Sequence, residues 1–254
     1  MPPAILPFGV AAIDEALPGG GLALGALHEV SGAAGDEEDG AVGAGFLAGI
    51  LARLSQLPPG SAKPILWCLA RDDLYAPGFA PHGLDASRIL HLRAHDDRSV
   101  LAAMEEGLRV NSLAAVVGEV GALPLTASRR LQLAAAKSGV TAFVLRRWRN
   151  GTRAAAERNA PCAAATRWRV RALSGEVGTG SPLDNATNRD SRALSSVAQD
   201  GEPGIGRPRW LLELLRCRGG LPAQWIVEAS DATGHVSLSA QLVDRPAAPQ
   251  YATG

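Results

Sequence analysis

The chain has 254 residues, enough for one large α/β domain or two small ones. Hydrophobic residues make up 46% and charged residues 20%, an ordinary globular composition with ample material for a core. The formal net charge is +0, which removes any whole-chain electrostatic case for nucleic acid.

FGVAAIDEAL (8–17) predicts a short amphipathic helix with Ile13, Ala16 and Leu17 on one side, ended by PGGG (18–21). ALHEVSG (26–32) reads as a strand followed by a glycine turn. AVGAGFLAGILARL (41–54) places Phe46, Leu47, Ile50, Leu51 and Leu54 at helical spacing, the pattern of a buried helix. PPGSAKP (58–64) is a loop, and PILWCLA (64–70) is an apolar run that suits a strand buried on both faces. DDLYAPGFAPHGL (72–84) is a broken helix or loop, RILHLRA (88–94) a strand and SVLAAMEEGLRV (99–110) a helix. LAAVVGEV (113–120) is a further buried strand. Thr126 is placed to cap TASRRLQLAAAKSG, with Gly139 as its stop signal.

VTAFVLRRW (140–148) is another strand, and ATRWRVRALS (165–174) alternates like one. PRWLLELLRCRGG (208–220) and PAQWIVEASDATG (222–234) look like two strands joined by a glycine turn. Strands alternating with helices predict an α/β fold: a mainly parallel twisted sheet flanked by helices, with antiparallel pairing toward the C-terminus. Residues 175–207 have no hydrophobic period and read as a flexible insertion; 245–254 read as a flexible tail.

Cys68, Cys162 and Cys217 are odd in number, far apart and without a C-x-x-C pair, so neither a zinc site nor a disulfide framework is expected. Cys68 sits in an apolar run and reads as a small core residue. No stretch reaches about 18 consecutive apolar residues, so no membrane span is expected. The N-terminal MPPAILPFGVAAIDEAL lacks the basic start of a secretory signal, and a cytoplasmic protein is expected.

Residues 31–51, SGAAGDEEDGAVGAGFLAGIL, lie where a nucleotide-binding protein places G-x-x-x-x-G-K-[ST], between a strand and a helix. Gly32, Gly35 and Gly40 supply the glycines, but Asp36, Glu37, Glu38 and Asp39 stand where the lysine belongs. The order of pieces resembles the RecA ATPase core, beginning with FGVAAIDEALPGGGLALGALHEVSG. The whole pattern resembles the ImuA family, RecA-like accessory proteins of bacterial damage-inducible mutagenesis. GLALGALHEV, VLAAMEEGLR, LAAVVGEV, LTASRRLQLAAAKSGVTAFVLRRWR, AATRWRVRAL and the late WLLELLRCRGG…WIVEASD carry that resemblance, which spans nearly the whole chain except 175–206. It implies a single RecA-like domain over 1–254. It also implies a role in translesion synthesis after DNA damage. The implied partners are ImuB, which is polymerase-like, an error-prone DNA polymerase and the sliding clamp.

Three positions bear on ATP hydrolysis. A working loop needs a lysine on the β/γ-phosphates and a Ser/Thr hydroxyl on Mg²⁺, and residues 32–46 contain neither. The acids at 36–39 would repel the ligand by about 1 kcal/mol or more each. The Walker B strand has Gly118 where RecA-type strands end in aspartate, with Glu119 one residue later; one step along a strand flips the side chain to the other face. After the second strand, CLARDD offers Arg71 near the place of the catalytic glutamate, then Asp72 and Asp73. The expectation is a chain with no catalytic residues, no cofactor and no metal. The acidic run is then either a solvated loop or a docking surface.

Arg146, Arg147, Arg149, Arg153 and Arg158 follow a strand, with Trp148 among them. Arg167, Arg169 and Arg171 alternate with Trp168 and Val170, which puts the three arginines on one face. Three uses stay open for this cluster: contact with single-stranded DNA through cations and a stacking ring, a solvated edge with both tryptophans in the core, and a partner interface. HLRAH (91–95) has metal-like spacing but begins in a strand and reads as structural, as do His28 and Glu29. Asp72, Asp73, Asp96 and Asp97 form either a carboxylate cluster at the strand ends or a set of loop caps.

Overall fold

A computed structural model of the chain describes residues 4–34, 36–59, 61–148, 157, 160–173, 196–197, 203–204 and 207–239. The N-terminal segment forms β1 (Ile5–Leu6), one turn of helix α1 (Ala11–Asp14) and β2 (Leu22–Ala23), which pairs antiparallel with β1. The helix expected over 8–17 is therefore only a turn. The Asp14 carboxylate explains it, since it accepts the backbone N–H groups of Phe8 and Gly9 and bends the approach instead of extending the helix. Phe8 is delivered onto Phe46 and Trp168, with ring centroids 6.2 and 5.5 Å away.

The alternating core follows: β3 (Leu27–Gly32), α2 (Asp36–Leu54), β4 (Ile65–Leu69), β5 (Ile89–Arg93), α3 (Asp97–Gly107), β6 (Ala115–Val120), α4 (Leu125–Ser138) and β7 (Thr141–Arg146). Then come β8 (Thr166–Leu173), the antiparallel pair β9 (Ser196–Val197) and β10 (Pro203–Gly204), β11 (Arg209–Cys217), β12 (Ala223–Glu228) and β13 (Ser237–Leu238). Nine strands form one sheet in the order β13-β12-β11-β8-β3-β7-β6-β4-β5. Pairing is parallel from β8 through β5 and antiparallel from β8 to β13. This is the expected α/β architecture with its antiparallel C-terminal extension.

Two apolar layers hold it. One face of the sheet packs Val30, Phe143, Leu145 and Trp168 against Phe46, Leu47 and Leu51 of α2. The other packs Val116, Val144 and Cys68 against Val100 and Met104 of α3 and Leu131 and Ala135 of α4. Strands β3, β6 and β7 are buried along their whole length, because they lie mid-sheet with helices on both sides. Cys68 is fully buried, and its thiol is pushed up to about 12 by that burial.

Two boundaries differ from the sequence reading. Helix α2 starts at Asp36 and not at 41, so the acidic run belongs to its first turns. Thr126 is inside α4 rather than capping it: Pro124, at φ −59° and ψ 144°, precedes the first helical residue, and its carbonyl accepts the Ser128 N–H at 3.0 Å. Gly139 does end the helix, at φ 78°. No helix of the described residues is long and apolar enough to cross a membrane. Apart from Ser196–Val197, Pro203–Gly204 and Arg207, the segment read as an insertion, and all of the tail, lie outside the described residues.

Candidate functional site

In an open parallel sheet the favoured ligand crevice lies beyond the C-terminal ends of the strands, where the strand order reverses. Here that place is the end of β3, β6 and β7 beside the start of α2. The loop leaving β3 hugs the helix: a Cβ on Gly32 would lie 2.7 Å from Asp39 Cβ and 2.9 Å from its carbonyl oxygen, so only glycine fits. Asp39 is 5% exposed, and its Oδ2 accepts the Ala34 N–H at 2.8 Å. A longer contact, 3.4 Å, joins its Oδ1 to the Ala172 N–H at the end of β8. A loop N–H that a phosphate oxygen would need is thus engaged by the chain's own carboxylate. Gly35 lies outside the described residues. Gly40 is on α2, on the wall of an adjoining cleft.

Glu119 lies on the α2 face of β6, with Trp67 of β4 and Arg147 just past β7. Its Oε1 accepts the Trp67 Nε1–H at 2.8 Å and its Oε2 accepts Arg147 Nη1–H at 2.6 Å. Arg147 Nη2 donates in turn to Asp73 at 3.0 Å, and Arg71 Nε lies 3.8 Å from the same carboxylate. Burial raises the Glu119 pKa above the ordinary glutamate value, against the pull of Arg147 and Trp67. Gly118 faces the opposite side, where an added Cβ would sit 2.2 Å from Met104 Sδ of α3. The one-residue step therefore puts the acid on the helix face nearest the loop, and puts a glycine where α3 leaves no room.

The adjoining cleft, about 430 Å³, runs between Gly40, Ala44 and Gly45 of α2 and the segment carrying Asp73, Tyr75 and His82. Its arginine is Arg147, already shared by Glu119 and Asp73. His82 is held by Ser230 Oγ at 2.9 Å, and burial lowers its pKa, so it is neutral at pH 7. No described group of acids, histidines and cysteines is arranged to hold a metal ion.

The arginine cluster divides. Arg146 points to the α4 face, 3% exposed, with Nη1 3.6 Å from Glu29 and Nη2 donating to Glu157 at 2.9 Å and to the Gly121 carbonyl at 2.8 Å. Trp148 is buried; its Nε1 donates to the same carbonyl at 2.9 Å, and its ring stacks under the Arg146 guanidinium. Arg167 Nε donates to Glu29 at 2.8 Å. Burial pulls the Arg167 pKa down, but Glu29 and Cys162 more than restore it. Cys162 donates its thiol hydrogen to Glu29 at 2.9 Å, and burial, then Glu29, raises its pKa. Arg169 holds Glu213 of β11 with two bonds of 2.6 Å. Arg171 is exposed. Arg149, Arg153 and Arg158 lie outside the described residues.

Sequence reasoning missed the pairing of Glu29 and Glu119. The signal was present: each is the lone acid in an apolar buried strand, and each must meet a cation. Asp39 left no such mark, because it sits in a run of four acids. Asp96 and Asp97 prove to be caps, on the Ser99 N–H at 2.8 Å and on the Gly121 and Ala122 N–H groups at 3.0 and 2.8 Å.

No protein-family model matches the chain. It is 37% identical over 253 residues to Protein ImuA of Caulobacter vibrioides strain NA1000 / CB15N, and equally to Protein ImuA of strain ATCC 19089 / CIP 103742 / CB 15. Each alignment covers 97% of this chain and 93% of the relative. With the buried strands, the loop and the late hairpin all inside the aligned span, the chain belongs to the ImuA family.

Proposed function

We propose that the chain is a non-catalytic, RecA-like adaptor of damage-induced mutagenic translesion synthesis. It binds an ImuB-type, polymerase-like partner, with an error-prone DNA polymerase and the sliding clamp in the same assembly. Kinship to Protein ImuA supports the setting. The observation that carries the non-catalytic reading is the state of the strand ends. Asp39 engages the Ala34 N–H, and Arg147 neutralises Glu119 and Asp73. A nucleotide with Mg²⁺ would have to break both sets of contacts without a lysine or a loop hydroxyl in 32–46 to replace them.

The test is calorimetric titration with ATP and Mg²⁺, followed by binding of the ImuB-type partner with and without nucleotide. The expected result is no nucleotide binding up to millimolar concentration and equal partner affinity in both conditions. Partner binding that requires ATP would overturn the reading. A second reading, contact with single-stranded DNA, draws on exposed Arg171 together with Arg149 and Arg153. It predicts affinity that falls steeply with salt and is lost when all three become alanine.

A further inference from the structure

Helices α3 and α4 lie side by side on one face of the sheet and run in the same direction, each joining one parallel strand to the next. Between them lies a long groove in two parts. Toward the helix starts it encloses about 460 Å³ over Leu101, Ala127 and Leu131. Toward the helix ends it encloses about 610 Å³ over Leu108, Leu133 and Ala134. The Arg130–Glu105 ion pair crosses between the two parts.

The surface of the second part is unusual for a solvated helix face. Leu133 is 70% exposed. Four cations, Arg98, Arg109, Arg130 and Lys137, line the whole groove against two acids, Asp97 and Glu105. Asp97 is directed at the Gly121 and Ala122 N–H groups, and Glu105 lies between Arg109 and Arg130. Lys137 is one of only two lysines in the chain, and among the described residues it makes no ion pair. An apolar floor with an excess of positive charge at its rim calls for a ligand with the opposite arrangement.

We propose that this groove docks an acidic amphipathic segment of a partner protein. One or two apolar side chains would seat against Leu133 and Ala134, with carboxylates facing Arg109 and Lys137. The wall acid Glu105 disfavours a phosphate backbone, and among the described residues no aromatic ring lines the groove to stack a base, so nucleic acid is the poorer match. Helix-in-groove recognition reads apolar anchors at helical spacing, which suits a groove that follows two parallel helices. The inference concerns a different face from the strand ends and does not rest on the function proposed above.

The probes are labelled helical peptides of about 14 residues with leucines along one face at i, i+3 or i+4, and i+7. One set carries glutamate on the opposite face and a matched set carries lysine. Fluorescence anisotropy with the full chain is expected to show the glutamate set binding at least tenfold more tightly than the lysine set. Leu133→Ser is expected to weaken that binding about tenfold or more, as removing one buried leucine contact does. Lys137→Glu is expected to weaken it several-fold and to flatten its salt dependence. Both residues are exposed, so melting curves of the two variants should match the parent. Equal affinity for both peptide sets, or affinity indifferent to both substitutions, overturns the proposal. So does sedimentation showing that the groove variants only abolish self-association, which would make a second copy the occupant. A single-stranded oligonucleotide whose binding, unlike that of the peptides, is lost with Lys137→Glu would overturn it as well.

Discussion

Arg146 and Arg147 are neighbours in sequence and serve opposite faces of the sheet. Arg146 closes a dry cluster with Glu29, Arg167 and Cys162, where the two facing side chains, Arg146 and Glu29, are 1% and 2% exposed. Arg147 closes a wetter one: it is 15% exposed and reaches Asp73, itself 44% exposed. One cluster fixes the junction of β3, β7 and β8. The other stands at the mouth of the cleft beside α2, where a ligand could compete for the arginine. Adjacent residues of one strand end thus separate architecture from access.

The sharpest way to break this contrast is Glu29→Ala. It leaves Arg167 without its carboxylate and Arg146 with Glu157 alone, and removal of one partner from a buried pair costs about 3–5 kcal/mol. Denaturant titration of the full chain measures it. A loss below about 1 kcal/mol would mean that the arginines simply turn outward and that the two clusters are alike.

His28, the preceding residue of β3, faces the other side of the sheet, against Thr166 and Phe143, and tests how dry that side is. Burial lowers its pKa to about 4, with the hydrogen bond to the Ala23 carbonyl opposing. The unfolded chain, at the ordinary value of 6.5, then takes up the proton first as pH falls. Stability should decline between about pH 6.5 and 4, by about 3 kcal/mol in total. A His28→Gln variant should start lower and lack that slope; an unchanged slope would assign it to other groups.

Glu119→Gln is the matching probe of the wetter cluster. The amide keeps an acceptor for Trp67 and loses the charge facing Arg147, for an expected cost of about 1–3 kcal/mol. Because the folded pKa of Glu119 is raised, the folded state holds its proton more tightly than the unfolded state. Its contribution therefore falls as pH rises from the ordinary carboxyl range through the folded pKa, and the amide removes that dependence. A cost equal to that of Glu29→Ala would erase the distinction. The smallest effect belongs to Arg169→Ala. That arginine is 26% exposed, and its two-bond contact with Glu213 lies at the rim of the antiparallel extension. The loss should stay under about 1 kcal/mol and shrink further in salt.

The order of strands and helices was legible because apolar runs and helical spacing survive without knowledge of neighbours. Leu27–Gly32 and Thr141–Arg146 announced themselves as strands, and Ala115–Val120 as a buried one. Which cation meets which acid was not legible. It depends on β3 lying between β7 and β8, a long-range register that brings Glu29 level with Arg167. The arginine cluster looked continuous along the chain for the same reason: alternation across the sheet is a property of pairing, and it sends Arg146 and Arg147 to different layers. The shortness of α1 and the early start of α2 were hidden by local side-chain hydrogen bonds, from Asp14 to the Phe8 N–H in one case and from Asp39 to the Ala34 N–H in the other.

Asp39 gives the loop an internal hydrogen-bond acceptor, held in the place where an anion's oxygen would have to sit. Placing lysine at position 40 alone would set a cation beside a carboxylate already bound to the Ala34 N–H, and that pair would satisfy itself before any phosphate arrived. Removing Asp39 alone would leave the Ala34 and Ala172 N–H groups without this acceptor and still supply no cation. Neither change alone would make this loop a better place for a phosphate. The loop holds its form by its own hydrogen bonds.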